Sequence, residues 1–182
     1  MAAFPVMGEG EARTKKILTA TQWRALLTHV DGWIATGFGS GFVPRAPGTL
    51  GSAVALIPWW FLLRQLSMTG YLIVLVVAFA IGVWACGMAG RRIGVDDHRA
   101  LVWDEFVGQW IALFLAPAGW AWMLAGFALF RLFDVWKPWP VRVADRTVHG
   151  GMGVMLDDVL AGLYALLVLQ AAALLLGVAV WR

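Results

Sequence analysis

The sequence predicts an all-α fold, a multi-span bundle of membrane helices with an amphipathic helix at its N-terminal end. Of the 182 residues, 61% are hydrophobic and only 14% are charged, and the mean hydropathy is +0.76. Soluble globular domains are about half apolar, so this composition indicates a membrane protein. Several apolar runs also approach or exceed the ~20 residues that a helix needs to cross a bilayer.

Composition also limits the domain organisation and the partners of the chain. We expect one membrane-embedded domain over residues 1–182, with residues 1–20 as a flexible tail because they are polar and of mixed charge. The formal net charge of +3 suits anionic lipid headgroups or nucleic acid, and the apolar composition favours membrane lipids and no nucleic acid. The sequence has one cysteine, Cys86, which excludes a disulfide framework and a cysteine-based metal site.

The first predicted elements precede the longest apolar runs. Apolar residues at helical spacing predict an amphipathic helix over residues 21–36, lying on the membrane surface. Residues 37–52, GFGSGFVPRAPGTLGS, are dense in glycine and proline and predict an irregular loop that leads into a helix. The apolar run 50–63 then predicts a short span that bends at Pro58.

The middle of the chain predicts a full span followed by a hairpin. Residues 70–90 carry no charge and are long enough to cross the hydrocarbon layer. Residues 106–130 fit either one long span or two short helices that turn at 116–119. We prefer the hairpin, because antiparallel helices of equal rise place Asp104 and Arg131 at nearly the same depth.

The last predicted span covers residues 159–181 and begins directly after Asp157 and Asp158. The stretch GGMGVM ahead of these acids predicts a flexible approach to the span. Ala161 and Gly162, two small residues within the predicted span, would allow close helix packing. Basic residues are concentrated in the connections on one side of the predicted bundle, and the positive-inside rule places that side in the cytoplasm.

Five acidic residues lie at the ends of apolar runs, where ionisable groups are costly and are therefore functional candidates. They are Asp104, Glu105, Asp134, Asp157 and Asp158. Carboxylate oxygens gathered on one side of a bundle suit a hard cation such as Mg²⁺. Alternatively, the acids form buried ion pairs with basic residues and fix the helix register. The number of acids favours the metal site.

Two further segments supply groups that bind phosphate. In APGTLGS, the residues Gly48, Thr49 and Ser52 offer backbone N–H groups and hydroxyl donors next to the positive end of a helix dipole. In RLFDVWKPWP, Arg131 and Lys137 would clamp phosphate oxygens, the arginine through its bidentate fork and the lysine as a point charge. Cationic side chains that snorkel at a membrane interface are the alternative interpretation.

These features together predict metal-assisted hydrolysis of a phosphate monoester on a lipid headgroup. The attacking group stays open, because Thr49, a carboxylate or a water molecule activated by the metal would each serve. A small cation-coupled transporter is the alternative function, since intramembrane acids also bind ions in transit. The position of the acids at one edge of the predicted bundle favours the enzyme.

The motifs APGTLGS, WDEFVGQ, FRLFDVWKPWP and GVMLDDVLAG, in this order, resemble those of the phosphatidylglycerophosphatase A family. The resemblance covers roughly residues 30–175 and implies a Mg²⁺-dependent phosphatase that converts phosphatidylglycerophosphate to phosphatidylglycerol in bacterial phospholipid synthesis. It also implies a location in the bacterial cytoplasmic (inner) membrane. The functional positions that it implies are Thr49, Asp104, Glu105, Asp134, Lys137, Asp157 and Asp158.

Overall fold

The all-α prediction is confirmed for residues 18–178, which a computed structural model describes. These residues form eight α-helices and no β-strand. The helices are α1 Ala20–Leu27, α2 Val30–Ala35, α3 Pro47–Phe61, α4 Met68–Ile93, α5 Trp103–Ala112, α6 Trp120–Trp136, α7 Val141–Thr147 and α8 Gly150–Leu175. The tail predicted over residues 1–20 lies mostly outside the described residues.

Helix α8 is the centre of the bundle and packs against α4, α5, α6 and α7. It crosses α5 closely, because a Cβ atom added to Gly162 would lie 2.5 Å from the carbonyl oxygen of Gly108. Two glycines thus allow the backbones to touch, as small residues do at helix interfaces in membranes. The close packing predicted at Gly162 is confirmed.

The span predicted over residues 70–90 corresponds to α4. Helices α4 and α8 have 26 residues each and are, within the described part of the chain, the two helices long and apolar enough to cross a membrane. A helix of that size is ~39 Å long, more than the ~30 Å of the hydrocarbon layer. Helix α3, with 15 residues, and helix α6, with 17 residues, are shorter. The bundle therefore has two long helices with shorter ones packed on them.

The hairpin interpretation of residues 106–130 is confirmed. Helices α5 and α6 run antiparallel, with Gly108 against the ring of Phe130 and Gly126 against Leu113. This pairing brings the first turn of α5 beside the last turns of α6. The charged ends of the two helices therefore meet at the same end of the bundle, as the matched depths predict.

The amphipathic segment over residues 21–36 consists of two helices instead of one. The chain breaks at His29, whose backbone is extended, and α2 then packs on α4. The carboxylate of Asp31 accepts a hydrogen bond from Arg92 of α4 at 2.9 Å. Apolar spacing continues across the break, so the sequence pattern does not reveal a turn that is stabilised by a contact with another helix.

The loop predicted over residues 37–52 ends earlier than expected, at Ala46. Pro47 occupies the first position of α3, where its fixed φ suits a helix start and its missing N–H leaves no bond unmade. Gly48 and Ser52 therefore lie in the first two turns of α3, and the prediction of irregular backbone is wrong there.

Helix α8 begins at Gly150, well before the run 159–181. The GGMGVM stretch is helical rather than flexible, so Asp157 and Asp158 lie inside a helix. A Cβ atom at Gly151 would lie 2.0 Å from the carbonyl oxygen of Val83 in α4. Glycine is required at that position by the close contact with α4 and not by flexibility.

The glycine contact between α5 and α8 predicts the effect of one added methyl group. Gly162→Ala should destabilise the protein by about 1–3 kcal/mol, because the Gly108 backbone cannot move aside without repacking. The matched control is Gly87→Ala, whose added Cβ would lie 3.5 Å from Gly151 of α8, an ordinary contact. Thermal unfolding in detergent, followed by circular dichroism, should show a lower Tm for Gly162→Ala only. Equal Tm values for the two variants would contradict the prediction.

Candidate active site

A polar cavity of about 490 Å³ lies at one end of the bundle, between the first turn of α3, the start of α5, the end of α6 and the early turns of α8. It is lined by nearly all of the residues predicted for the site. These are Gly48, Thr49, Asp104, Glu105, Arg131, Asp134, Lys137, Asp157 and Asp158. The other predicted residue, Ser52, is buried behind the cavity wall.

Three carboxylates form a close group in this cavity. Asp104 and Glu105 of α5 and Asp158 of α8 each offer one oxygen, and these oxygens lie within 4.8 Å of one another. Asp104 Oδ1 and Glu105 Oε2 are buried and have no hydrogen-bond partner among the described residues. Like charges at this spacing repel one another, and carboxylate oxygens are the ligands that hard divalent cations prefer. The group therefore fits a divalent cation.

Asp134 and Arg131 flank the acidic group from α6, where they form an ion pair one helical turn apart. Arg131 Nη1 also donates a hydrogen bond to Ser52 Oγ at 3.3 Å. The Ser52 hydroxyl in turn donates to the carbonyl oxygen of Gly48 at 2.9 Å. In this structure Ser52 therefore contacts the guanidinium from behind, and its hydroxyl does not line the cavity.

Lys137 terminates α6 and connects two neighbouring helices at the rim of the cavity. Its Nζ lies 2.6 Å from Asp145 of α7 and 2.6 Å from Asp157 of α8. Burial by itself would lower the pKa of Lys137, but the two carboxylates outweigh burial and raise the pKa above its ordinary value. The amine therefore stays protonated. Of the five predicted metal ligands, Asp134 and Asp157 thus contact cationic side chains, and the other three form the close group.

Gly48 brings the N-terminal end of α3 against the charged groups. A Cβ atom at this position would lie 2.2 Å from Glu105 Oε1 and 3.4 Å from Arg131 Nη1. The first N–H groups of a helix have no intrahelical acceptor and carry the positive end of its dipole. Thr49 follows at the exposed rim. The start of α3 can therefore donate hydrogen bonds to an anion in the cavity, although the backbone there is helical rather than a loop.

Sequence reasoning missed part of the cavity wall. Asp97 and Arg99, from the connection between α4 and α5, line the cavity, and Asp145 reaches Lys137 from α7. Their sequence positions could have indicated this role, because they lie beside the predicted ends of spans. They are on the side of the predicted bundle that carries most of the basic residues and the other acids. Residues in connections have no periodicity, so their sequence spacing does not reveal which cavity they enter.

Comparison with known proteins identifies the family. A model of the family described as Phosphatidylglycerophosphatase A matches residues 33–173. The chain belongs to this family. The predicted resemblance is therefore confirmed, and family membership makes the chain a phosphatase. These findings do not support the alternative of a cation-coupled transporter.

Individual relatives agree with the family match. The protein named Phosphatidylglycerophosphatase A from Escherichia coli (strain K12) is 50% identical over 130 residues, 71% of this chain and 75% of that protein. The protein of the same name from Haemophilus influenzae is 45% identical over 139 residues, 76% and 85% of the two chains. A relative from Bacteroides thetaiotaomicron, whose name proposes a phosphatidylinositol-3-phosphatase, is 44% identical over 151 residues, 79% and 94% of the two chains. No solved structure matches significantly.

The contact at Gly48 predicts a loss of activity without a loss of fold. Gly48→Ala should displace the Glu105 carboxylate, the flexible end of a side chain, while the helix gains the better propensity of alanine. We expect phosphatase activity to fall about tenfold or more with an unchanged Tm. Gly87→Ala, with ordinary contacts, is the control and should keep full activity. Full activity of Gly48→Ala would show that the position of Glu105 does not matter.

Proposed function

We propose that the chain hydrolyses the terminal phosphate of phosphatidylglycerophosphate, releasing phosphatidylglycerol and inorganic phosphate, and that it requires Mg²⁺. The observation that carries this proposal is the buried group of Asp104, Glu105 and Asp158, which shares one cavity with Arg131 and Lys137. Relatives that are 50% and 45% identical bear the name Phosphatidylglycerophosphatase A, which supports this substrate.

Recognition of the phosphate follows from the positive groups of the cavity. A phosphate monoester carries about −1.5 to −2 charges at pH 7, and the cavity offers the Arg131 guanidinium, the Lys137 ammonium and the first N–H groups of α3. These groups would bind the phosphoryl oxygens and stabilise the charge that moves onto them as the ester bond breaks. Asp134 and Asp157, through their ion pairs, would hold the two cationic side chains in position.

The acidic group would hold the Mg²⁺ ion through Asp104, Glu105 and Asp158. Bound there, Mg²⁺ supplies Lewis-acid chemistry and lowers the pKa of water. Thr49 is exposed at the rim, and among the described residues its hydroxyl has no hydrogen bond to a basic group, whereas a hydroxyl nucleophile needs an adjacent base. We therefore assign the attack on phosphorus to a water molecule and assign Thr49 to phosphate binding.

We also propose a multi-pass location in the bacterial cytoplasmic membrane, with the cavity facing the cytoplasm. Helix α4 ends with Arg91 and Arg92 close to the connection that lines the cavity, and α7 carries Arg142 and Arg146. Basic residues mark the cytoplasmic side of membrane proteins. The anionic headgroup of a lipid in the inner leaflet would then lie at the depth of the cavity.

The direct test is release of inorganic phosphate from phosphatidylglycerophosphate in detergent micelles. Mg²⁺ should restore activity to chelator-treated protein in a saturable manner. Phosphatidylinositol-3-phosphate is the competing substrate, because one relative is named for that activity, and it should be hydrolysed far more slowly. Faster release from the phosphoinositide would overturn the assigned substrate, and activity that survives chelation would overturn the metal requirement.

The acidic group predicts the result of a charge-removing substitution. Asp158→Asn should lower kcat about 10²- to 10³-fold, the cost of losing one preorganised charged group, and should weaken activation by Mg²⁺. Asp31→Asn is the matched control, because Asp31 is a buried carboxylate that pairs with Arg92 and does not line the cavity. Both variants should retain the wild-type circular dichroism spectrum. Normal turnover in Asp158→Asn would exclude the three-carboxylate group as the metal site.

Lys137 predicts a different kinetic outcome. Lys137→Ala should raise KM for the lipid, because a phosphate contact is lost, while the Mg²⁺ concentration for half-maximal activity stays unchanged. Asp145→Asn removes one partner of Lys137 but leaves the positive charge of the lysine in the cavity. This variant should change KM less. A shift in the Mg²⁺ requirement of Lys137→Ala would mean that the lysine acts on the metal and not on the phosphate.

A further inference from the structure

Gln109 is a fully buried residue of α5 whose side-chain amide is unpaired. Its Nε2 and Oε1 atoms both lack a hydrogen-bond partner among the described residues. An amide buried without partners costs free energy, and the protein would be more stable with an apolar residue at this position. A feature of this kind calls for an explanation in function.

Two other unpaired atoms belong to α5 and to the end of α6 that faces it. Arg131 Nε and Glu105 Oε2 are also buried and have no partner within the described part of the chain. Gln109 follows Glu105 by one helical turn, so the two side chains share a face of α5. The neighbouring contact of Gly108 with Phe130 places Gln109 within one helical turn of the depth of Arg131 in the α5–α6 hairpin.

The unpaired atoms are chemically complementary. Arg131 Nε is a donor and Gln109 Oε1 an acceptor, while the Gln109 NH₂ group is a donor and the Glu105 carboxylate an acceptor. Buried water molecules commonly join polar groups that are too far apart to bond directly. A carboxylate oxygen has two lone pairs, so Glu105 can accept such a bond and still bind a cation.

We infer that Gln109 is a positioning residue, which holds the Arg131 guanidinium and the Glu105 carboxylate in place through buried water. Ser52 contacts the same guanidinium at Nη1, so the arginine is held at two separate nitrogen atoms. This inference rests on the proposed function for the roles of Arg131 and Glu105. It adds a specific task for the glutamine of the WDEFVGQ motif.

The first test compares the buried Gln109 with Gln170, a partly buried glutamine of α8. Gln109→Leu should lower kcat/KM for phosphatidylglycerophosphate about 10- to 100-fold, as loss of a supporting partner does. Its Tm should change little or rise, because the amide has no direct hydrogen bond to another described residue and leucine avoids the cost of burying it. Gln170→Leu is the control: Gln170 donates to the carbonyl oxygens of Phe114 and Leu115 at 3.0 Å, at the far end of the hairpin. It should lower Tm and leave kcat/KM unchanged.

A double-mutant cycle tests whether Gln109 acts through the arginine. In an Arg131→Lys background, which removes Nε, Gln109→Leu should have a much smaller effect on kcat/KM than in the wild type. Fully additive effects would overturn the inference. A lower Tm with unchanged kcat/KM in Gln109→Leu would also overturn it, since that is the result of a merely structural role.

A binding measurement separates this inference from the proposed function. Wild-type protein that releases no phosphate from the lipid would disprove the proposed function by itself. Calorimetric titration with inorganic phosphate in the presence of Mg²⁺ would then decide the inference. Weaker phosphate binding by Gln109→Leu than by wild type and Gln170→Leu would support it, and equal affinities in all three proteins would overturn it.

Discussion

The close approach of α5 and α8 is the constraint on which the candidate site depends. Gly108 and Gly162 allow backbone contact at the crossing, and Asp158 lies one turn from Gly162, while Glu105 lies nearly one turn from Gly108. Larger side chains would separate the two helices and the carboxylates that they carry. A packing contact within the apolar part of the bundle therefore determines the distances at its charged end.

The cationic side chains of the cavity are paired with carboxylates, but some of its carboxylate oxygens have no cationic partner in the described part of the chain. These unpaired carboxylates give the site its capacity to bind a metal cation. Arg131 and Lys137 are each paired with carboxylates, whereas Asp104 and Glu105 retain buried oxygens without partners among the described residues. Carboxylates held together away from water are unfavourable unless a cation joins them. A protein that keeps such a group trades stability for binding, which is typical of functional sites.

Local sequence patterns predicted the helices well where hydropathy determines their position. They predicted less well the helix starts that depend on a packing contact. The uncharged run of α4 and the paired charges of the α5–α6 hairpin follow from composition and rise per residue. The starts of α3 and α8 were misplaced, because glycine and proline usually interrupt helices. Here Pro47 begins a helix, and Gly151 allows α8 to contact the backbone of α4. Neither residue interrupts its helix.

The sequence by itself determined the all-α class, the membrane character and the motifs that place the chain in its family, because these depend on residue type and spacing along the chain. The tertiary structure decided how the polar residues share their tasks. It brings together three of the five acids, places Ser52 behind Arg131 and brings Asp97 into the cavity. The physical reason is that distances between atoms of different helices depend on how closely the helices cross and on where the connections run, and neither property is periodic in the sequence.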